Sequence, residues 1–252
     1  MSYNAMSYRR AISDLKILYD LGYVGKVVSR STLNDYANKK NTITLLQRLV
    51  QLSATYFKNE DTLIVDSTWF GEKMYVGGYK DVHGNKKGLD NTRKIHVGIL
   101  KNSKIICYAK PTEGTMHDSP VFKEILINVS NLFNLKYCLG DKGYCSKDSY
   151  ILCEEKGITP YLDFRKNCKS ARGRSNIWKQ QIDIWKEKPQ IWHESYRFRV
   201  TIEAVFSVIK KKHNNYLRSR NQNSRDIEML LKCLVYNMTI IGKSICSDTY
   251  RT

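Results

Sequence analysis

Glu203 shares one side of a short segment with a phenol, a guanidinium and an ammonium group. The segment runs from Tyr196 to Lys210 (YRFRVTIEAVFSVIK). It lacks Pro and Gly, and its apolar residues recur at helical spacing, which predicts a helix. At about 100° per residue, Tyr196, Arg199 and Lys210 fall within roughly 40° of Glu203. Phe198, Ile202, Val205 and Ile209 gather on the opposite side, ready to dock on a core. An i,i+4 pair such as Arg199 and Glu203 is also an ordinary surface feature, contributing about 0.3–0.5 kcal/mol. Two upstream aspartates give it another meaning. Asp66 closes an apolar run in TLIVDSTWF, and Asp141 follows another in LKYCLGDKGY.

Three converging carboxylates are hard oxygen donors, suited to Mg²⁺ rather than to a thiolate-seeking metal. They would repel one another without a cation, so such a site is coupled to metal binding. Two divalent ions about 3.5–4 Å apart can activate the attacking oxygen of a phosphodiester reaction and stabilise the leaving one. Arg199 as a fork and Lys210 as a point charge then suit phosphate oxygens.

The elements that must position these residues follow from periodicity. Strands are expected at Thr62–Thr68, Arg93–Leu100, Lys104–Lys110, Leu135–Gly140 and Ile158–Leu162. Helices are expected at Thr115–Asn128 and at Ser146–Lys156, the latter capped by Ser146 and closed by Gly157. A last amphipathic helix spans Arg225–Lys243. The glycines and basic residues from Gly77 to Gly88 form a turn signal. The order predicts an α/β domain, a mixed sheet with helices packed on it.

Residues 1–58 read as three basic helices, Ser13–Tyr23, Ser29–Ala37 and Thr42–Thr55. They fit a helix-turn-helix-like DNA-binding module and fit any small helical packing nearly as well. Residues 59–252 form the second unit, with an insertion at about 163–195. The insertion carries Trp178, Trp185 and Trp192 at seven-residue intervals, which on one helix return to nearly the same face. They form either an aromatic seam against the body or a DNA-touching surface.

Lys plus Arg number 42 against 24 acids, a net charge of +18 that favours a polyanionic partner, nucleic acid above all. No run approaches the roughly 20 apolar residues of a membrane span, and no N-terminal signal pattern is present. Seven scattered cysteines without a CxxC pair argue for reduced thiols in the cytoplasm and against structural zinc.

Tyr196-x2-Arg199-x3-Glu203-x6-Lys210 resembles the Y-x2-R-x3-E-x6-K signature of DDE-type insertion-sequence transposases, whose catalytic domain is RNase H-like. Asp66 in IVDST, the basic strand Arg93-Lys94-Ile95-His96, the stretch TEGTMHDS from Thr112 to Ser119, and Asp141 in GDKGY resemble that family's other motifs in the same order. The likeness extends from about Asp61 to Lys243.

The resemblance implies an RNase H-like five-stranded mixed sheet flanked by helices. It also implies metal-dependent cleavage at the ends of a DNA element, followed by strand transfer into target DNA. Asp66, Asp141 and Glu203 would be the catalytic metal ligands, holding two Mg²⁺ ions, with Mn²⁺ as a substitute. Tyr196, Arg199 and Lys210 would contact the DNA end. Arg93, Lys94 and His117 join the DNA contacts, His117 with Asp118 also reading as a helix-start pair. A dimer on double-stranded DNA and action on chromosomal DNA in the cytoplasm complete the expectation. The segment ahead of Asp66 is short for that family, which implies a reduced end-recognition module. Two other readings stay open: a nuclease on the same fold without strand transfer, and a non-catalytic DNA-binding descendant.

Overall fold

A computed structural model describes residues 8–71, 92–165, 168, 176–219 and 221–249. The Gly77–Gly88 turn signal lies outside the described residues. The sheet is built around β1 (Thr62–Phe70). Its antiparallel neighbour on one side is β2 (Arg93–Leu100), which in turn pairs antiparallel with β3 (Ile106–Glu113). On its other edge β4 (Tyr137–Gly140) and then β5 (Thr159–Leu162) run parallel to it, giving the order β3-β2-β1-β4-β5. This is the mixed five-stranded sheet expected from the sequence.

Strand alternation divides the core in two. Leu63 and Val65 point to a cluster with Val121, Phe122 and Ile125 of α4 (Asp118–Ser130). Ile64 and Phe70 point to the other face, where Ile202, Val205 and Ile209 of α8 (Thr201–His213) and Ile227 and Leu230 of α9 (Gln222–Thr249) pack. Odd-numbered residues of β1 therefore look toward α4, and even-numbered ones toward α8.

The N-terminal helices are α1 (Tyr8–Asp20), α2 (Arg30–Tyr36) and α3 (Lys40–Ala54). Ser29 caps α2 by accepting from the Thr32 amide. Gly22 takes φ +77° just past α1, a conformation that favours glycine. α3 buries Leu46, Val50 and Ala54 and packs on β3 and α9. Asn237 of α9 ties these elements together. Fully buried, it accepts from the Ile106 amide at 2.9 Å and donates to the Ile106 carbonyl at 2.7 Å and to Ser53 Oγ at 2.8 Å. The sequence division at residue 58 groups α3 with α1 and α2, yet its apolar stripe completes the sheet's core.

Two expectations are corrected here. By length and composition α9 holds one span, Gln222–Ser247, long and apolar enough to cross a membrane. One flank of it packs against the sheet through Ile227, Leu230, Cys233 and Tyr236. The tryptophans do not share one helix, because Pro189 starts a new one. Trp178 and Trp185 lie on α6 (Asn176–Glu187) and Trp192 on α7 (Pro189–Tyr196). Phe164, just past β5, gathers all three rings, with centroids 5.3–5.5 Å away. The seam is therefore aromatic packing against the body.

Candidate active site

Two aspartates meet through strand register. Val65 of β1 pairs with Gly140 of β4, so Asp66 and Asp141 are the next residues along two parallel neighbours. Such strands lie about 4.8 Å apart. Gly140 also pairs with Leu162 of β5, which brings Asp163 to the same level, its amide donating to the Gly140 carbonyl at 3.2 Å. A side chain at Gly140 has no room, since its Cβ would lie 2.8 Å from both Leu162 Cδ2 and Val65 Cγ2. Past Asp141 the chain turns, with Tyr144 N donating to the Asp141 carbonyl at 2.9 Å and Lys142 N to Asp141 Oδ1 at 2.6 Å.

Asp66 looks toward α8, as its even number requires. The residues ahead of α8 are not one continuous α-helix: α7 stops at Tyr196, and Arg197–Val200 form a 3-10 turn. Arg199, in that turn, donates through Nη2 to Asp66 Oδ2 at 2.8 Å and pairs through Nη1 with Glu203 Oε1. The guanidinium thus bridges the first and third predicted acids. The Ser67 amide donates to Asp66 Oδ1 at 2.8 Å. Burial pushes the Asp66 carboxyl up to about 6 against the Ser67 amide and Arg199, with Asp141 and Asp118 adding repulsion. Burial works against the charge of Arg199, but Asp66, Tyr196, Asp141 and Glu203 outweigh it and hold the guanidinium above its usual range.

Among the described residues no group of three His, Cys, Asp or Glu side chains is placed to hold a metal ion. Glu203 reaches Asp66 through Arg199, and its side chain is 53% exposed. The donors nevertheless suit a hard divalent cation. All three are carboxylates, the burial cost of Asp66 is only partly offset by the Ser67 amide and Arg199, and a cationic group already sits between Asp66 and Glu203.

The other predicted contacts divide. Lys210 donates to Thr68 Oγ1 at 2.7 Å, two residues beyond Asp66 on the same face of β1, and burial lowers its pKa. Tyr196 stacks on Trp192 at 6.3 Å; burial, then the charges of Asp163, Asp141 and Asp66, push its phenol up. His117 is exposed at the N-cap of α4, with no side-chain cap bond. Arg93 and Lys94 turn inward. Arg93 is buried, its Nε donating to Asp226 Oδ1 of α9 at 2.9 Å. Lys94 is buried between Asp118 Oδ1 at 2.8 Å and the Trp69 ring at 4.7 Å.

Asp118, read in the sequence only as part of a helix start, takes a larger part. Burial disfavours its charge, but hydrogen bonds from His96, Lys94 and Ser67 outweigh that and hold it well below the carboxylate range. His96 is fully buried, with Tyr144 OH 3.1 Å from Nδ1 and Thr112 Oγ1 3.1 Å from Nε2. Burial lowers its pKa despite Asp118. The signal for Asp118 was present in TMHDS, an acid in the first turn of a helix. Asp163 had no such signal, because only the β5 register reveals it.

Comparison with known proteins gives one family: the transposase DDE domain matches residues 39–238. No curated protein matches the chain. Among solved structures, it is similar to a piggyBac transposase synaptic complex with hairpin DNA, with TM-score 0.47 and 10% identity over 75% of this chain and 48% of that one. It is also similar to a simian T-cell lymphotropic virus intasome in complex with PP2A regulatory subunit B56 gamma, with TM-score 0.30 and 14% identity over 67% of this chain and 54% of that one. The chain spans about half the length of each.

Proposed function

The chain belongs to the transposase DDE domain family, and on that premise we propose that it cuts DNA at the ends of a mobile element and joins them to target DNA. The observation that carries this reading is the parallel register setting Asp66 beside Asp141, with Glu203 linked to Asp66 through Arg199. Asp66, Asp141 and Glu203 would hold divalent metal, Mg²⁺ with Mn²⁺ as a substitute, at two ions per site. When bound, such ions polarise the phosphodiester, lower the pKa of the attacking oxygen's proton and offset charge on the leaving oxygen.

The chain's own groups set the stage for that chemistry. Asp66 must be ionised to act as a ligand, so its raised pKa ties metal entry to proton release. Arg199 neutralises Asp66 and Glu203 in the free protein; released from them, its fork suits two phosphate oxygens. Lys210, anchored on Thr68, places a point charge on the same face. Tyr196, braced by Trp192, flanks the carboxylates and offers a phenol to the DNA end. The net charge of +18 supports attraction to double-stranded DNA over a wide surface. Joining two element ends calls for two active sites, hence a dimer on DNA, acting on the chromosome in the cytoplasm.

A second reading is a DNA-binding descendant without catalysis. It is favoured by the lack, among the described residues, of three acids grouped for metal. The two separate in an assay of supercoiled plasmid with Mg²⁺, Mn²⁺ or EDTA, run on wild type and Asp66→Ala. Metal-dependent nicking by wild type alone supports the enzyme, and joined products in the same reaction identify strand transfer. DNA binding without nicking on plasmids carrying the element's own ends supports the descendant.

A further inference from the structure

Asp118 opens α4 and is held by two strands while packing against the turn after a third. Its Oδ1 accepts from Ser67 Oγ of β1 at 2.9 Å and from Lys94 Nζ of β2 at 2.8 Å, and lies 3.2 Å from His96 Nδ1. Its Oδ2 lies against the turn that follows Asp141, where a Cβ on Gly143 would approach to 2.7 Å. His96 reaches the same turn through Tyr144 OH at 3.1 Å. Ser67 adjoins Asp66, and Gly143 is two residues past Asp141. One carboxylate therefore touches the backbone neighbourhoods of both aspartates.

Alternation on β1 sharpens the point. Asp66 faces α8, so its own side chain cannot be braced from the α4 side. Ser67 faces α4, and through it Asp118 grips the strand from behind the site. Lys94 keeps that half-buried carboxylate compensated, so the grip does not cost an unpaired charge. We propose that Asp118 is a positioning residue, fixing the spacing and aim of Asp66 and Asp141 for a divalent cation. The proposal rests on the reading of those two aspartates as metal ligands. Gly143 belongs to the same device, since only a residue without a side chain lets the Asp141 turn close on Asp118.

Groups that orient metal ligands typically cost about 10–100-fold in metal affinity when altered. The test is Mn²⁺ binding to the DNA-free, full-length protein, measured by calorimetry beside a thermal melt. It uses wild type, Asp66→Ala, Asp118→Asn and Gly143→Ala. Loss of affinity in Asp66→Ala, with about tenfold or greater weakening in the other two, is the expected result. Gly143→Ala changes no charge and decides the matter if Asp118→Asn fails to fold. Wild-type Mn²⁺ affinity in Gly143→Ala, with Asp66→Ala impaired, overturns the positioning role alone. No Asp66-dependent Mn²⁺ binding in wild type overturns the ligand reading and the proposal with it. A lowered melting temperature with unchanged Mn²⁺ affinity marks Asp118 as merely structural and also overturns it.

Discussion

Arg199 donates to Asp66 across 2.8 Å while pairing with Glu203 on its own helical stretch. On the proposed reading, the guanidinium occupies the space between two of the three acids that would hold a metal ion. Arg199→Ala should therefore destabilise the metal-free protein, by about 1.5–3 kcal/mol for a lost charged hydrogen bond. Mn²⁺ should then raise the melting temperature of the variant more than that of wild type, because the cation replaces the missing charge. Equal Mn²⁺ shifts in a thermal melt would mean that Arg199 and metal do not share this site.

The Asp66 carboxyl sits near 6 in the folded protein against a usual 3.8. Between those values the folded state binds the extra proton, so stability falls as pH rises through this window. Above about 6 the cost is complete, on the order of 3 kcal/mol. Asp66→Asn removes it. At pH 7.5 without metal the variant should melt above wild type, and the gain should vanish near pH 4. Cutting should be absent from the variant, and in wild type should rise with pH through about 6. A melt of Asp66→Asn below wild type at pH 7.5 would show that the bond from Arg199 outweighs burial.

The strands and helices that position these groups were legible because each carries a periodic apolar pattern and a local stop, such as Ser146 before α5 (Lys147–Glu155) and Gly157 after it. Asp66 and Asp141 stood out because each ends a buried run. Direction was harder to read. Arg93 and Lys94 look like a basic surface strand, yet β2 is covered on both faces, and only the folded chain shows Asp226 and Asp118 waiting for them. The 3-10 turn at Arg197–Val200 also left no mark in composition, because the segment holds neither Pro nor Gly. Asp163 and Asp118 join the site through register and tertiary contact, which lie beyond the reach of sequence spacing.

Gly140 offers a test of the register itself. Alanine there would press on Val65 and Leu162 at 2.8 Å each, and overpacking of this kind costs about 1–3 kcal/mol. The strain is relieved by parting β4 from β1, which moves Asp141 away from Asp66. Gly140→Ala should lower the melting temperature and abolish cutting while DNA affinity stays at the wild-type level. Gly157→Ala is the control. It sits at φ +68° in open space, so it should cost stability of about 1 kcal/mol and leave cutting intact. Cutting by Gly140→Ala at the wild-type rate would show that the Asp66–Asp141 spacing is not critical.

Lys210 tests how DNA is held. Its ammonium is fixed by Thr68 Oγ1 at 2.7 Å, and Thr68 shares a strand face with Asp66. On the proposed reading a positive charge held there would meet backbone phosphate, which carries no sequence information. Lys210→Ala should weaken DNA binding about equally for all sequences and reduce the salt slope of log affinity by about 1. Its Mn²⁺ affinity should match wild type, because the ammonium makes no contact with the three acids. Thr68→Val should show the same direction with a smaller effect, since the charge remains but loses its anchor. Sequence-selective weakening, read from fluorescence anisotropy on several duplexes across a salt series, would instead assign Lys210 to base recognition.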